Sequence, residues 1–160
     1  MRLPIKDLDK LRGEGKFAEV FDLLDALKLN AGNDPMLSFQ YACTLDSQER
    51  EEEAIPYYRK AIALKLKGTA LAEAYLGLGS SLRALGRYQE ASVVLEEGSR
   101  KFGRNAALQA FYAMALYNTG ECKEAVESLL ILLAETSKDR KVRAYREALL
   151  AYAKDLDKTW

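Results

Sequence analysis

The chain of 160 residues contains no histidine, so the commonest general base and the commonest metal ligand are both missing. Cysteine is scarce too. Cys43 and Cys122 stand 79 positions apart with no second cysteine near either, which leaves zinc binding and thiol–histidine catalysis without support. Both are read as reduced, chemically idle thiols, because free cysteine often serves as a small buried apolar residue. Neither sign of charge prevails: 24 Lys plus Arg balance 24 Asp plus Glu. There is thus no overall field to hold a nucleic-acid backbone or an anionic membrane, and neither is expected as a partner. Long hydrophobic runs are also missing. The run Leu129 to Ala134, for one, falls far short of the roughly 20 residues that span a bilayer. The opening Met-Arg-Leu-Pro-Ile-Lys-Asp meets charge before any signal-peptide core can form, so a cytoplasmic location is expected.

Two further motifs lose their chemistry on inspection. Gly77-Leu78-Gly79 lies inside a helical pattern and lacks the Lys and Ser/Thr of a phosphate-binding loop. Glu51-Glu52-Glu53 sits at a helix start, where negative charge is favoured and adjacent side chains diverge, and is read as a solvated first turn. No catalytic residue, cofactor or metal is expected.

What is present is a folded composition, 49% apolar and 30% charged, about one domain's worth of chain, with internal repetition. Gly86-Arg87-Tyr88-Gln89-Glu90-Ala91 recurs 34 positions later as Gly120-Glu121-Cys122-Lys123-Glu124-Ala125. Counting backwards gives the marker positions Val20, Ala54, Ala91 and Ala125, with the middle spacing longer by three residues. Within the third unit, Tyr75, Leu78, Gly79 and Leu82 share one face of a helical period, Gly86 ends that helix, and Tyr88 to Phe102 forms a second amphipathic stretch.

These residues resemble the tetratricopeptide repeat family. Tyr75, Leu78, Gly79 and Leu82 occupy the large, large, small, large positions of the family's first helix, and Ala91, Leu95 and Gly98 the small, large, small positions of its second. Tyr112, Ala113, Leu116, Ala125, Leu129 and Leu132 continue the pattern, Tyr41, Ala42, Leu45, Ala54, Tyr58 and Ala61 precede it, and Leu8, Leu11, Val20, Leu24 and Leu27 form a degenerate first unit. The C-terminal Tyr-Ala-Lys-Asp-Leu-Asp-Lys-Thr-Trp and the stretch around Leu-Gly-Leu-Gly-Ser-Ser resemble a subfamily of small stand-alone bacterial proteins. That resemblance implies a cytosolic helical protein that binds other proteins and can dimerise.

The expected fold is all-α: a right-handed helical-hairpin solenoid of about four repeats, 1–34, 35–71, 72–105 and 106–139, plus a capping helix over 140–157, nine helices in one domain. Val142, Tyr145, Leu149, Tyr152 and Leu156 give the cap one apolar face. Glu49 stands where the second unit's turn glycine would be, so an irregular turn is expected there. The three extra residues are expected to lengthen the following helix through Lys65-Leu66-Lys67, with Gly68 as its C-cap.

The resemblance places a ligand groove on the first helix of each repeat, at positions not used for packing. These are Phe39, Gln40, Cys43 and Asp46, then Leu76, Gly77, Ser80 and Arg83, then Ala110, Phe111, Met114 and Tyr117. Phe39, Leu76 and Phe111 could equally pack between neighbouring first helices. The Lys and Asn clamp by which some members hold a peptide carboxylate is absent, since the matching positions carry Ile5, Asp9, Gln40, Glu73 and Gly77.

Two functions of different class follow. One is a binding module for a peptide or helix of an unknown partner protein, held in this groove. The other is a self-associating structural protein, a homodimer formed through Tyr145, Leu149, Tyr152, Leu156 and Trp160, with Trp160 either docked or a frayed end. Charge changes sign near the cap: residues 106–139 hold two basic and five acidic side chains, residues 140–160 six basic and three acidic. Arg140, Lys141, Arg143 and Arg146 lie in the first turns of their helix, against the macrodipole, so another group must compensate them. Solvation and loose pairing with the acidic fourth repeat are the expected compensation.

Overall fold

The computed structural model describes residues 5–31 and 33–159, and among these the chain is helical, with no strand. The helices are α1 (Ile5–Gly13), α2 (Phe17–Ala31), α3 (Pro35–Asp46), α4 (Glu51–Ala63), α5 (Gly68–Ala84), α6 (Tyr88–Lys101), α7 (Ala106–Thr119), α8 (Cys122–Thr136), α9 (Arg140–Ala144) and α10 (Arg146–Ala153). Two compact units hold them, Met1–Gly86 and Arg87–Trp160. In the first, α3 touches α2, α4 and α5. In the second, α7 lies against α6 and α8, and α10 packs on α8.

Local chemistry fixes the helix ends. Asp34 caps α3 by accepting from the amides of Met36 (2.7 Å) and Leu37 (3.0 Å), with Pro35 at the first helical position where its missing N–H costs nothing. Asn105 caps α7 from the Leu108 amide at 3.1 Å. Gly15 and Gly120 turn the chain in the left-handed region (φ 73° and 100°), and the next amide reaches back five residues to close each turn, Lys16 N to Leu11 O and Glu121 N to Leu116 O, both 2.9 Å.

Glu49 does not make its turn irregular. It adopts φ 58° and the same closing bond forms, Arg50 N to Leu45 O at 3.1 Å. The carbonyls left over at the end of α3 fix the turn geometry, and a residue with a Cβ accepts it at a cost of about 1–2 kcal/mol. The three extra residues do not lengthen α4 either. Lys65 takes φ 62° and Leu66 N bonds Ala61 O at 3.1 Å, so α4 stops at Ala63 by the same device, while Gly68 opens α5 instead of capping α4. Burial of Leu66 anchors this connection, which a longer helix would have turned elsewhere.

The marker residues Val20, Ala54, Ala91 and Ala125 are all buried, as close helix contact requires. In the first unit Leu8, Val20, Leu24, Leu37 and Tyr41 form a core with Leu11, Phe21, Leu27 and Tyr57 packed on it. Tyr41 stacks on Tyr57 (centroids 5.1 Å apart) and donates its hydroxyl proton to Asp25. Burial, then the Asp25 carboxylate, push the Tyr41 phenol well above its ordinary pKa. In the second unit Ala113, Leu116 and Ala125 form a core cluster, with Tyr112 against it.

The cap departs most from expectation. Ten helices occur among the described residues instead of nine, because the continuous helix over 140–157 is broken at Tyr145 (φ −99°, ψ 11°) and ends at Ala153. Val142, Leu149 and Leu156 are half-buried while Tyr145 and Tyr152 are exposed, so the single apolar stripe is split. Leu156 lies beyond the helix, and Trp160 lies outside the described residues. The basic start of α9 is compensated by Asp139, which accepts from the amides of Lys141 (2.8 Å) and Val142 (3.0 Å). An ion pair between the fourth repeat and the chain end has its signs the other way round from the expected pairing: Lys123 Nζ lies 2.7 Å from Asp157 and 3.7 Å from Asp155.

Candidate functional site

In the first unit the predicted wall residues come from α3 and α5, and Tyr58 of α4 rises between them. Tyr58 is almost fully buried, its ring centroid 6.2 Å from that of Phe39. It fits because residue 77 is glycine: a Cβ there would collide with the Tyr58 ring. The Tyr58 hydroxyl donates to Asp46 Oδ2 at 3.1 Å. On the other carboxylate oxygen, the Ser81 hydroxyl lies 2.9 Å from Asp46 Oδ1 and 2.8 Å from the Gly77 carbonyl, so its one proton serves two acceptors.

This assembly is a half-buried carboxylate held by two hydroxyls at the foot of the α3–α5 wall. Burial raises the Asp46 pKa, and the hydrogen bonds from Ser81 and Tyr58 draw it partly back. Cys43 borders the same group, and burial pushes its thiol up to about 12, so at neutral pH it carries no thiolate and behaves as a weakly polar wall residue. Burial likewise drives the Tyr58 phenol far above its usual range.

The predicted residues therefore sort by access. Phe39 and Gln40 are buried, shaping the wall from beneath. The Gln40 amide nitrogen lies 3.8 Å from Met36 Sδ, and its buried oxygen meets no partner among the described residues. Cys43, Asp46, Leu76, Gly77, Ser80 and Arg83 are half-buried and reach the surface. In the second unit Ala110, Phe111 and Met114 are half-buried, and Tyr117 is two-thirds exposed.

Three features escaped the sequence reading. Ser81 and Tyr58 join Asp46 although they lie 35 and 12 positions away. Arg12, from the degenerate first repeat, tucks its guanidinium against α3, with Nη1 3.3 Å from Thr44 Oγ1 and an ion pair to Asp9. A cavity of about 170 Å³ opens between α7 and α8, lined by Gln109, Tyr112, Ser128 and Ile131. Burial and the carboxylates of Glu96, Glu124 and Glu121 raise the Tyr112 phenol pKa.

Among the described residues no cluster of three Cys, Asp or Glu is placed to hold a metal, and no helix is long and apolar enough to cross a membrane. Paired antiparallel helices closed by left-handed turns at 34- and 37-residue spacings define a helical-hairpin repeat protein. The family model described as tetratrico peptide repeat matches residues 35–156, well over half of the chain. The chain belongs to the tetratricopeptide repeat family, whose members generally serve as protein-protein interaction modules. The match begins after the first helical pair, where the sequence pattern is poorest. A search of curated proteins finds no match.

Proposed function

We propose that this protein is a non-catalytic, cofactor-free binding module that holds a peptide or helix of a partner protein on the first-helix faces of its repeats. The observation that carries this reading is the α3–α5 wall. There Cys43, Leu76, Ser80 and Arg83 stay accessible while the packing positions beside them are buried, and half-buried Asp46 is fixed by Tyr58 and Ser81. An oriented carboxylate within a largely apolar wall selects an apolar segment carrying an amide or cationic donor. In the second unit, Phe111, Met114 and Tyr117 offer a comparable surface on α7.

Selection from a random peptide library tests this reading. Enriched peptides should lose affinity about tenfold or more on Leu76→Ala and Asp46→Asn, with the helical circular dichroism signal unchanged. Enrichment that is indifferent to both substitutions would end it. A second reading, self-association through the C-terminal helices, is supported by the exposure of Tyr145 and Tyr152 beside half-buried Leu149 and Leu156.

A further inference from the structure

A shift of 71 positions lays the hairpins of the first unit on those of the second, since it carries the markers Val20 and Ala54 onto Ala91 and Ala125. It also carries Tyr41 onto Tyr112, and the two tyrosines have different surroundings. Around Tyr41 the chain supplies its own partners. The Tyr57 ring stacks on it with 5.1 Å between centroids and 14° between planes, the Phe21 ring lies 6.2 Å away, and Lys28 Nζ stands 5.7 Å over the centre of its face. The Asp25 carboxylate accepts its hydroxyl proton, and Tyr41 is buried.

The counterparts of Tyr57, Phe21 and Lys28 in the second unit are Ser128, Ser92 and Ser99, so serine replaces both rings and the cation. Only the anion is kept, with Glu96 where Asp25 stands. Burial first, and then Glu96, Glu124 and Glu121, raise the pKa of the Tyr112 phenol, which puts three carboxylates within electrostatic reach of it. Tyr112 is left half-buried. Beside it, at the position of the Tyr57 counterpart, opens the cavity of about 170 Å³ lined by Tyr112, Ser128, Gln109 and Ile131. A cavity of about 150 Å³ is enough for benzene, so this one admits a single flat side-chain head and excludes a drug-sized ligand.

What fits is set by what is missing. A group flat enough to stack on tyrosine, and positive toward both the ring face and the carboxylates, combines the parts that Tyr57 and Lys28 play at Tyr41. Among side chains, guanidinium is that group. We propose that the Tyr112 cavity binds a guanidinium, stacked on the Tyr112 ring and balanced by Glu96, Glu121 and Glu124. An arginine of a partner protein and a small free guanidinium compound share this chemistry. The site belongs to α7 and α8 of the second unit and does not rest on the α3–α5 wall.

Titration of the full chain with N-acetylarginine amide tests it, followed by NMR of ring-labelled tyrosine with the Tyr112 signal assigned from Tyr112→Phe. A saturable shift of that signal is expected. The citrulline analogue, which keeps the shape and lacks the charge, should bind about tenfold more weakly or worse, and the Glu96→Gln, Glu124→Gln double variant should weaken the arginine amide to the same degree. Ser128→Tyr, which rebuilds the stacked pair of the first unit, should abolish binding with the helical signal unchanged. Absence of a shift, equal binding of the citrulline analogue, or binding that survives Ser128→Tyr overturns the proposal. Should Ser128→Tyr fail to fold, the glutamine variant decides, because Glu96 and Glu124 are exposed and leave the core intact. The source follows from placing the same arginine inside a glycine–serine peptide. An affinity about tenfold higher or more assigns the site to the arginine of a partner protein, and an equal one to a free guanidinium compound. Leu76→Ala, which removes binding at the first unit's wall, should change none of these results.

Discussion

Tyr58 in α4 and Leu129 in α8 hold the same place in two repeats, yet one is sealed into the protein and the other stands half in water. Tyr58 has α3 on one side and α5 on the other, and α5 offers Gly77, which yields the space its ring needs. Leu129 has α7 and then an interrupted cap, in which a one-turn α9 precedes an α10 of eight residues. The pair shows that the second helix of a hairpin does not complete its own core. Burial comes from the helix that follows, so the end of a repeat array is where apolar surface remains.

The largest effect that tests this contrast is truncation at the two matched positions. Tyr58→Ala should cost about 3–5 kcal/mol, as expected for emptying a buried aromatic site. Leu129→Ala should cost about 1 kcal/mol in the monomer, because much of its surface is already hydrated. Urea denaturation at a concentration below self-association measures both, and equal costs would break the comparison.

Gly77→Ala comes next. Its methyl group must displace the Tyr58 ring, for which about 1–3 kcal/mol is expected, and the hydrogen bond from Tyr58 to Asp46 should lengthen with it. Thermal unfolding gives the first quantity. A crystal structure or tyrosine NMR shifts give the second.

Glu49→Gly should act in the opposite direction, stabilising by up to about 1 kcal/mol, since glycine takes φ 58° without the steric penalty of a Cβ and loses part of that gain through unfolded-chain entropy. An unchanged or lowered midpoint of unfolding would show that the left-handed turn at this position carries no strain.

The smallest effect is on pH dependence. Asp46 has a folded pKa raised above its unfolded value, chiefly by burial. Its contribution therefore favours the folded state below the unfolded carboxylate pKa and is lost as pH rises through the raised one. Asp46→Asn should remove that falling component from a plot of stability against pH, beginning in the ordinary carboxylate range and extending above it. A plot of the same slope in both proteins would mean that the carboxylate is solvated after all.

Much of this architecture was legible because repetition is a strong local signal. Small residues at Val20, Ala54, Ala91 and Ala125 recur at nearly constant spacing, and each is buried. The wall was legible in part: the family resemblance implied that Asp46, Leu76, Gly77 and Ser80 lie on first-helix faces, but it could not tell that Phe39 and Gln40 would lie beneath the surface. Nor could it bring Ser81 and Tyr58 to Asp46, or Arg12 to Thr44, since those meetings depend on how neighbouring helices lean together.

The amino-acid sequence alone determined the helices, the turns between them and the family, because periodicity, capping and left-handed turn positions act within a few residues. It did not determine the ends of that regularity. The Glu49 turn, the short α4 and the broken cap each set an intrinsic preference against closing bonds and burial that exist only when the chain is packed. The same holds for the covered Tyr58 and the uncovered Leu129: their residue types announce apolar contact, but how much of each is hidden depends on the helix that comes to lie beside it.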